Sequence, residues 1–267
     1  MRLATWNVNS LKARLPRVEE WLAEIQPDVL CLQETKLNDA AFPALAFEAL
    51  GYQSVHHGQG QWNGVAILSR VGIDNVRNGF IDGLASGGPV DDYVQGVLNE
   101  ARLITASCAG VEVTSVYVPN GRSVDDPHYG AKLVWLDRLR EQLSTTSAPD
   151  RQVVVMGDFN IAPDDRDVYD PVAWAGQVLC TPQERAQFQA LIDQGLVDSF
   201  RLFEQPPKPW TWWDYRNLAF RKNQGLRIDH ILVSQALRPQ VQACFIDKAP
   251  RKNERPSDHT PVVLDIH

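Results

Sequence analysis

Acidic, amide and histidine residues stand beside several apolar segments that are far apart in this 267-residue sequence. The clearest example is Met156-Gly157-Asp158-Phe159-Asn160, which begins where the apolar run of residues 152–156 ends. Three consecutive valines make that run typical of a buried strand. Asp158 and Asn160 therefore lie just beyond a strand's carboxyl end, where α/β proteins usually bind ligands.

Comparable polar residues stand at four further predicted strand ends. They are Asn7 after residues 2–6, Glu34 after residues 29–33, Asp229 beside Arg227-Ile228, and the pair Asp258-His259 before residues 261–264. Carboxylates, amides and an imidazole that meet at one edge are typical of metal-assisted hydrolysis. We therefore expect one site built from the whole chain, with Glu34 and Asp158 within about 10 Å of His259, near enough for direct or water-bridged contact.

Phosphodiester hydrolysis is a reaction that these residue types could support. It requires an activated water, neutralised phosphoryl charge, a stabilised leaving oxygen and in-line positioning. Asp158 could take the proton from water while Asn160 orients it, and Glu34 could bind Mg²⁺, which carboxylates usually hold. A protonated His259 would offset phosphate charge, and Asp229 could hold its ring in place.

Each of these residues also has an ordinary structural interpretation. Asp158 could form an Asx turn. Glu34 could cap the next helix or pair with Lys36, and Asp258-His259 could be a capped turn before the last strand. The joint occurrence of all these signals in one chain favours the catalytic interpretation.

The elements that must position these residues follow from hydrophobic periodicity. Residues 102–107 and 111–117 are predicted to form an antiparallel hairpin. Further strands are predicted at residues 2–7, 29–33, 64–69, 152–156, 227–233, 240–246 and 261–266. Because helices or long loops separate most of these strands, we expect mixed sheets.

Three helices are predicted. One follows the capping box Thr181-Pro182-Gln183-Glu184 and stops at Gly195. The second covers residues 129–143, and the third lies within residues 11–25, where Pro16 predicts a start near its own position. With no repeat or linker, the pattern predicts a single domain over residues 1–267, with two sheets packed face to face and helices outside.

Composition limits the class of protein. A hydrophobic content of 44% is typical of a globular protein. No apolar run reaches the roughly 18 residues of a membrane span, and no secretion signal opens the chain. The four cysteines form no C-x-x-C pair. Cys31, Cys108 and Cys244 lie within strand-like runs, which predicts small core residues, and a reducing, cytoplasmic setting is expected.

Charge gives a mixed indication about nucleic acid. The net charge of −7 argues mildly against binding by bulk charge. Basic residues nevertheless cluster at 216–227 and at 248–255, next to candidate site residues. These clusters could be solvated loops or a local basic face.

Eight motifs occur in the order found in one known family: Thr5-Trp6-Asn7-Val8-Asn9, Leu32-Gln33-Glu34-Thr35-Lys36, Asn63-Gly64-Val65-Ala66-Ile67, Tyr117-Val118-Pro119-Asn120-Gly121-Arg122, Gly157-Asp158-Phe159-Asn160-Ile161-Ala162-Pro163, Thr211-Trp212-Trp213-Asp214-Tyr215, Leu226-Arg227-Ile228-Asp229 and Ser257-Asp258-His259-Thr260-Pro261-Val262. Through them the chain resembles the exonuclease III type of apurinic/apyrimidinic (AP) endonuclease, within the DNase I-like endonuclease/exonuclease/phosphatase superfamily. The resemblance covers nearly the whole chain and implies a four-layer α/β sandwich with two mixed sheets inside.

The resemblance also implies an activity. It is Mg²⁺-dependent hydrolysis, with Mn²⁺ as a substitute, of the phosphodiester 5′ to abasic sites in double-stranded DNA by a monomer. Removal of nucleotides or blocking groups from 3′ ends would accompany it. A 3′-end-specialised exonuclease or phosphatase with weak abasic activity is the alternative. A catalytically dead binding module is disfavoured, because no proposed catalytic position is substituted.

Site roles carry over by resemblance. Glu34 is implied as the main Mg²⁺ ligand, with Asp258 contributing and Asn9 close by. Asp158 would activate the water and Asp229 would orient His259. The scissile phosphate would be surrounded by Asn7, Asn160, Tyr117 and His259.

The same resemblance implies DNA contacts. Trp212, Leu226 and Ile228 match a pocket that admits a base-free deoxyribose and excludes an intact nucleotide. The alternative is that Trp210, Trp212 and Trp213 are simply core aromatics. Further implied DNA contacts are Arg122, Asn120, Lys12, Trp62 and Arg216.

Overall fold

Two six-stranded mixed sheets form the centre of the computed structural model, which describes residues 1–81, 83, 90–146 and 150–267. The first sheet has the order β11 (Val241–Ile246), β12 (Val262–Ile266), β1 (Arg2–Asn7), β2 (Val29–Gln33), β4 (Val65–Ser69) and β3 (Gln53–His57). The second has the order β5 (Asp74–Asn78), β6 (Leu103–Cys108), β7 (Val111–Tyr117), β8 (Val153–Asp158), β10 (Asp229–Ser234) and β9 (Leu196–Asp198).

The described residues contain seven α-helices, and the three longest, the first, fourth and sixth along the chain, cover the outer faces of the sheets. The seven are α1 (Leu11–Ile25), α2 (Ala44–Glu48), α3 (Asp92–Leu98), α4 (Pro127–Thr146), α5 (Pro171–Trp174), α6 (Pro182–Asp193) and α7 (Ala219–Lys222). Trp21 and Leu22 of α1 pack with Trp6 of β1 on the first sheet. Leu139 of α4 and Leu191 of α6 belong to the apolar cluster on the second sheet. No helix within the described residues is long and apolar enough to cross a membrane.

Strand alternation explains the layers. In β2, Val29 and Cys31 belong to the cluster between the sheets, whereas Leu30 and Leu32 pack against the helical layer. Period-two alternation with both faces apolar is the pattern expected of a strand buried on both sides. The predicted four-layer α/β sandwich is therefore confirmed.

Two differences from the predicted elements have local causes. Helix α1 begins at Leu11, so the predicted start near Pro16 is wrong. The main-chain nitrogens of Ser10 and Leu11 donate to the carbonyls of Glu34 and Thr35, at 2.7 and 3.0 Å, which anchors the first turn. Strands β3, β5 and β9 were not predicted, and β5 is exposed along its whole length and lacks an apolar alternation.

Other predictions agree with the structure. β6 and β7 form the predicted hairpin, turning at Ala109-Gly110 with positive φ at both residues. The predicted capping box at the start of α6 is present, with reciprocal hydrogen bonds between Thr181 and Glu184. All four cysteines are buried and free.

Candidate active site

Strand register gathers the predicted site residues at one edge of the paired sheets. β7 and β8 are parallel and end together, with Tyr117 opposite Asp158. β10 is antiparallel to β8 and starts with Asp229 opposite Asp158. In the first sheet β1 and β2 are parallel. Asn7, the last residue of β1, pairs with Gln33, which directly precedes Glu34.

Asn7 joins the two sheets at this edge. Its side chain is fully buried. The Nδ2 atom donates to Glu34 Oε1 and to Asp158 Oδ2, both at 2.9 Å. One amide therefore fixes the two carboxylates relative to each other.

Asp158 is buried at the floor of the site. Besides the Asn7 amide, it accepts hydrogen bonds from the Asn160 main-chain nitrogen at 2.9 Å and from Asn160 Nδ2 at 3.2 Å. The first is an Asx turn, so the structural interpretation and a catalytic position coexist in one residue. Burial raises the pKa of Asp158 to about 7, against the opposing effect of His259 and with further increases from Asp229 and Glu34.

His259 lies between two aspartates. Its Nδ1 is 2.9 Å from Asp229 Oδ2, and its Nε2 is 3.7 Å from Asp158 Oδ2. Burial lowers the pKa of His259, but Asp229 and then Asp158 outweigh that effect and raise it to about 10. The ring is accordingly a cation at neutral pH, and its Nδ1 proton is held by Asp229.

Glu34 carries the carboxylate that faces the cleft. Its backbone is in the left-handed region, with φ of 51°. Its oxygens accept from Asn7, from the Tyr117 hydroxyl and from Lys36, whose Nζ is 2.9 Å away. Pairing with Lys36, expected as an alternative role, therefore occurs in a half-buried carboxylate that also lines the cleft.

One group of side chains in the described residues has metal-ligand spacing. Potential ligand atoms of Glu34, Asp158 and His259 all lie within 4.8 Å of one another. The three residues thus meet as expected, well inside 10 Å. Because His259 is cationic, oxygen atoms rather than its ring nitrogens are the suitable donors at this edge, and oxygen donors suit a hard cation.

Asp258 and Asn9 form an adjoining polar pair. Asn9 Nδ2 donates to Asp258 Oδ1 at 2.9 Å, and Lys36 Nζ donates to Asn9 Oδ1 at 2.5 Å. The other Asp258 oxygen accepts from Trp212 Nε1 at 3.1 Å. Asp258 is thus linked both to the Glu34 side of the site and to its apolar wall.

Tyr117 contributes a buried hydroxyl. Burial raises its pKa well above the usual range, and the carboxylates of Glu34 and Asp158 add to this increase despite the opposing Arg102. The hydroxyl is therefore protonated and can donate. The Arg102 guanidinium lies 4.6 Å from the centre of the Tyr117 ring, a contact not foreseen from the sequence.

These residues open into a cleft of about 350 Å³. Its apolar wall is lined by Trp174, Leu179, Trp212 and Ile228, and its polar lining includes Asn120, Arg122 and Arg216. Leu226 is fully buried behind the wall. Lys12 and Trp62 are exposed and do not line the cleft.

The aromatic segment 210–213 divides into core and cleft residues. Trp210 and Trp213 are buried with Ala219, as the core alternative expects. Trp212 faces the cleft, with its ring edge-to-face to Trp174. Trp174 and Leu179 were not singled out in the sequence. The feature of the sequence that could have drawn attention to Leu179 is its position two residues before Thr181, where the capping box of α6 begins.

The basic clusters do not form one exposed face. Arg227 is buried and bonded to Asp167 and Asp198, and Arg251 is buried against Phe220. Arg216 is exposed and paired with Asp214. Only part of the positive charge seen in the sequence is therefore available to a ligand.

A four-layer sandwich with a carboxylate, amide and histidine cluster at its strand ends is suited to metal-assisted hydrolysis. Residues 4–259 match the model of the Endonuclease/Exonuclease/phosphatase family, and the chain belongs to this family. Its members are nucleases and phosphatases, so the protein is an enzyme.

Three similar proteins are named as nucleases or as a phosphatase. The exodeoxyribonuclease III of Haemophilus influenzae is 35% identical, with 98% of each chain covered. The 3′ phosphatase NExo from Neisseria, solved with a product DNA hairpin, has 40% identity and a TM-score of 0.91, covering 100% of this chain and 99% of that one. An AP endonuclease from Archaeoglobus fulgidus has 35% identity and the same TM-score of 0.91, with 100% and 99% covered.

Proposed function

We propose that this protein is a Mg²⁺-dependent DNA-repair nuclease that hydrolyses the phosphodiester 5′ to abasic sites in double-stranded DNA. The product would be a 3′-hydroxyl, and the same site would also trim nucleotides or blocking groups from 3′ ends. The observation that carries the proposal is the Asn7 amide, which bridges Glu34 and Asp158 at 2.9 Å each beside the His259–Asp229 pair.

The donor set fits a hard divalent cation. Glu34 would be its main ligand, since its carboxylate faces the cleft and is held from three sides. Asp258 and Asn9 would complete the protein's share of the site, and Lys36 would move from Glu34 to release it. When bound, Mg²⁺, or Mn²⁺ in its place, would supply positive charge to the phosphoryl oxygens.

Asp158 would act as the general base. A buried carboxylate with a pKa of about 7 is a stronger base than an exposed aspartate and still substantially ionised at neutral pH. Asp158 would take a proton from the attacking water, whose oxygen then bonds to phosphorus as the bond to the 3′ oxygen breaks. The departing 3′ oxygen would take up a proton from solvent water to give the 3′-hydroxyl. Asn160, fixed to Asp158 by two hydrogen bonds, would orient that water or a phosphoryl oxygen.

The remaining residues would bind the phosphate. His259 would offset its negative charge, because Asp229 and Asp158 keep the ring protonated. Asn7, whose two amide hydrogens bond Glu34 and Asp158, would border the phosphate. The protonated hydroxyl of Tyr117 would turn from Glu34 to donate to a phosphoryl oxygen as charge develops there. All of these groups come from one chain, which supports a monomeric enzyme.

The apolar wall would select the damaged nucleotide. Trp212 and Ile228 line it directly, while Leu226 supports it from behind. An abasic sugar is already unstacked and cheap to extrude, whereas an intact base would have to be accommodated as well. Asn120, Arg122 and Arg216 at the cleft, with Lys12 and Trp62 farther out, would contact the DNA backbone.

A second candidate is a 3′-end-specialised exonuclease or phosphatase with weak abasic activity. The solved NExo structure from Neisseria, named as a 3′ phosphatase, is 40% identical to this chain, compared with 35% for the AP endonuclease from Archaeoglobus fulgidus. The TM-score is 0.91 for both, so backbone similarity does not separate the two activities.

A side-by-side assay tests both candidates. The protein is incubated with an abasic duplex and with a duplex that carries a 3′-phosphate, each with Mg²⁺ and with EDTA. We expect nicking 5′ to the abasic site to be the faster reaction, and EDTA to stop both reactions. Faster removal of the 3′-phosphate would support the second candidate, and activity that survives EDTA would contradict both.

A further inference from the structure

A fully buried lysine lies beneath the part of the cleft that Asn120 and Asn160 line. Lys132 of α4 has no exposed surface, which is rare for lysine because a buried ammonium is costly to desolvate. Its charge is offset by Glu184, which is equally buried. The sequence motifs do not include Lys132, and the proposed mechanism does not use it.

Lys132 joins three segments of the site. Its Nζ donates to the main-chain carbonyl of Asn160 at 2.7 Å and to that of Asn120 at 3.1 Å. The third partner is the Glu184 carboxylate, whose Oε1 also accepts from the Leu179 main-chain nitrogen at 3.0 Å. Asn120, Asn160 and Leu179 all line the cleft.

The side chains above these carbonyls form a chain that ends at the proposed base. Asn120 Nδ2 donates to Asn160 Oδ1 at 3.0 Å, and Asn160 Nδ2 donates to Asp158 Oδ2 at 3.2 Å. Asn160 has φ of 50°, a conformation that needs local support in a residue other than glycine. A hydrogen bond to its carbonyl from a fixed, charged donor provides that support.

The loop around Asn120 also packs on the lysine stem. A Cβ atom added to Gly121, whose φ is 95°, would lie 3.3 Å from Lys132 Cδ. The backbone therefore approaches the lysine closely. The loop position thus depends on the stem as well as on the ammonium group.

We propose that Lys132 is a positioning residue that holds the carbonyls of Asn120 and Asn160, and through them aligns both amides with Asp158. The inference deepens the proposed function and rests on it for the activity readout. Lys132 touches neither substrate nor reacting atoms. Its effect on the reaction passes through Asn160.

The test compares Lys132→Met with Lys132→Arg, which keeps a charged donor. Lys132→Met removes the ammonium group at similar length and leaves Glu184 uncompensated, so Lys132→Met/Glu184→Gln is the second variant should the first fail to fold. Leu139→Ala is the matched control, since Leu139 is buried on the same helix in the apolar cluster against the second sheet.

We expect the charge-removing variant to lower kcat on the abasic duplex by about 10- to 100-fold, because a misplacement of 1 Å can cost 10²-fold. Lys132→Arg should recover at least part of this loss. In an Asn160→Ala background, removal of the Lys132 charge should lower kcat by about twofold or less, because the effects of substitutions at two contacting residues do not add. Leu139→Ala should lower the melting temperature and leave kcat of the folded enzyme unchanged.

Two results would overturn the inference. One is a kcat within about twofold of wild type in the folded charge-removing variant. The other is an equal loss of kcat with and without Asn160, which would indicate a general structural effect.

Hydrogen exchange without DNA provides a readout that does not need activity. Peptides over residues 118–122 and 158–162 should exchange faster in Lys132→Met, or in the double variant, than in Leu139→Ala. An inactive wild-type protein would refute the proposed function, and the exchange result would then still decide the role of Lys132. Unchanged exchange in both peptides would overturn the proposed positioning role of Lys132.

Discussion

Replacement of Asp158 by asparagine tests the general-base assignment most sharply. The change removes the proton acceptor and keeps nearly the same size. In the structure one Asp158 oxygen accepts from the Asn160 main-chain nitrogen, and the other accepts from Asn7 and from the Asn160 side chain. An amide oxygen can retain the first contact, whereas the new NH₂ group would face two other donors.

The expected loss of rate is large compared with the loss of stability. A positioned general base contributes about 10²- to 10⁴-fold, which corresponds to about 3–5 kcal/mol at 1.36 kcal/mol per tenfold change. The mismatched buried donors should lower the free energy of unfolding by about 1–3 kcal/mol. This loss is partly offset because a charged carboxylate no longer has to be buried. The variant should therefore remain folded and bind abasic duplex with nearly wild-type affinity.

Single-turnover nicking of an abasic duplex at saturating enzyme measures the effect on chemistry. Binding is followed separately by fluorescence anisotropy in EDTA. Asp193→Asn is the matched control, because Asp193 is exposed at the end of α6, and its rate should stay within about twofold of wild type. Turnover of Asp158→Asn within tenfold of wild type would refute the general-base assignment.

Two further outcomes follow from the metal site and from a buried histidine. Glu34→Ala should raise the Mg²⁺ concentration for half-maximal nicking by about tenfold or more. Mutation of residues that only orient metal ligands already lowers metal affinity by about 10- to 100-fold. Glu48→Ala, an exposed change on α2, is the control, and an unchanged metal titration for Glu34→Ala would exclude this ligand. For His230, burial and then Arg227 lower the pKa to about 4 from the ordinary 6.5, so the unfolded chain binds this proton first and stability falls as the pH drops from 6.5 to 4. The free energy of unfolding measured in urea should fall by up to about 3 kcal/mol over this pH range because of His230. In the folded variant His230→Asn the fall should be correspondingly smaller. An equal fall in both proteins would contradict the lowered pKa of His230.

The central strands of the first sheet could be predicted from sequence because they are buried on both faces. β1 and β2 have the predicted bounds, since mainly apolar segments between polar residues leave little ambiguity. β5 reads Asp-Asn-Val-Arg-Asn and carries no such signal, because an exposed edge strand is defined by its neighbour rather than by burial. The start of α1 was missed for a similar reason, because the hydrogen bonds that the main-chain nitrogens of Ser10 and Leu11 donate to the carbonyls of Glu34 and Thr35 outweigh the effect of Pro16.

The candidate site shows the same division. Polar residues at strand ends predicted which edge would carry the cluster, because that inference needs only topology. The side chains that complete it, Trp174, Arg102 and Lys132, lie in a short helix, at the edge of a strand and inside a long helix, where their types are unremarkable. Their roles depend on tertiary contacts, such as the bonds from Lys132 to two carbonyls, which no local pattern encodes.

Diffraction from crystals grown with an abasic-site product duplex and Mn²⁺ would test the central claim most directly, because the anomalous signal locates the ion. The proposed site predicts the ion in direct contact with the Glu34 carboxylate, and the phosphate in the cleft in contact with His259 and Asn160. An ion bound elsewhere, with Glu34 still paired only to Lys36 and the phosphate outside the cleft, would contradict the proposed enzyme.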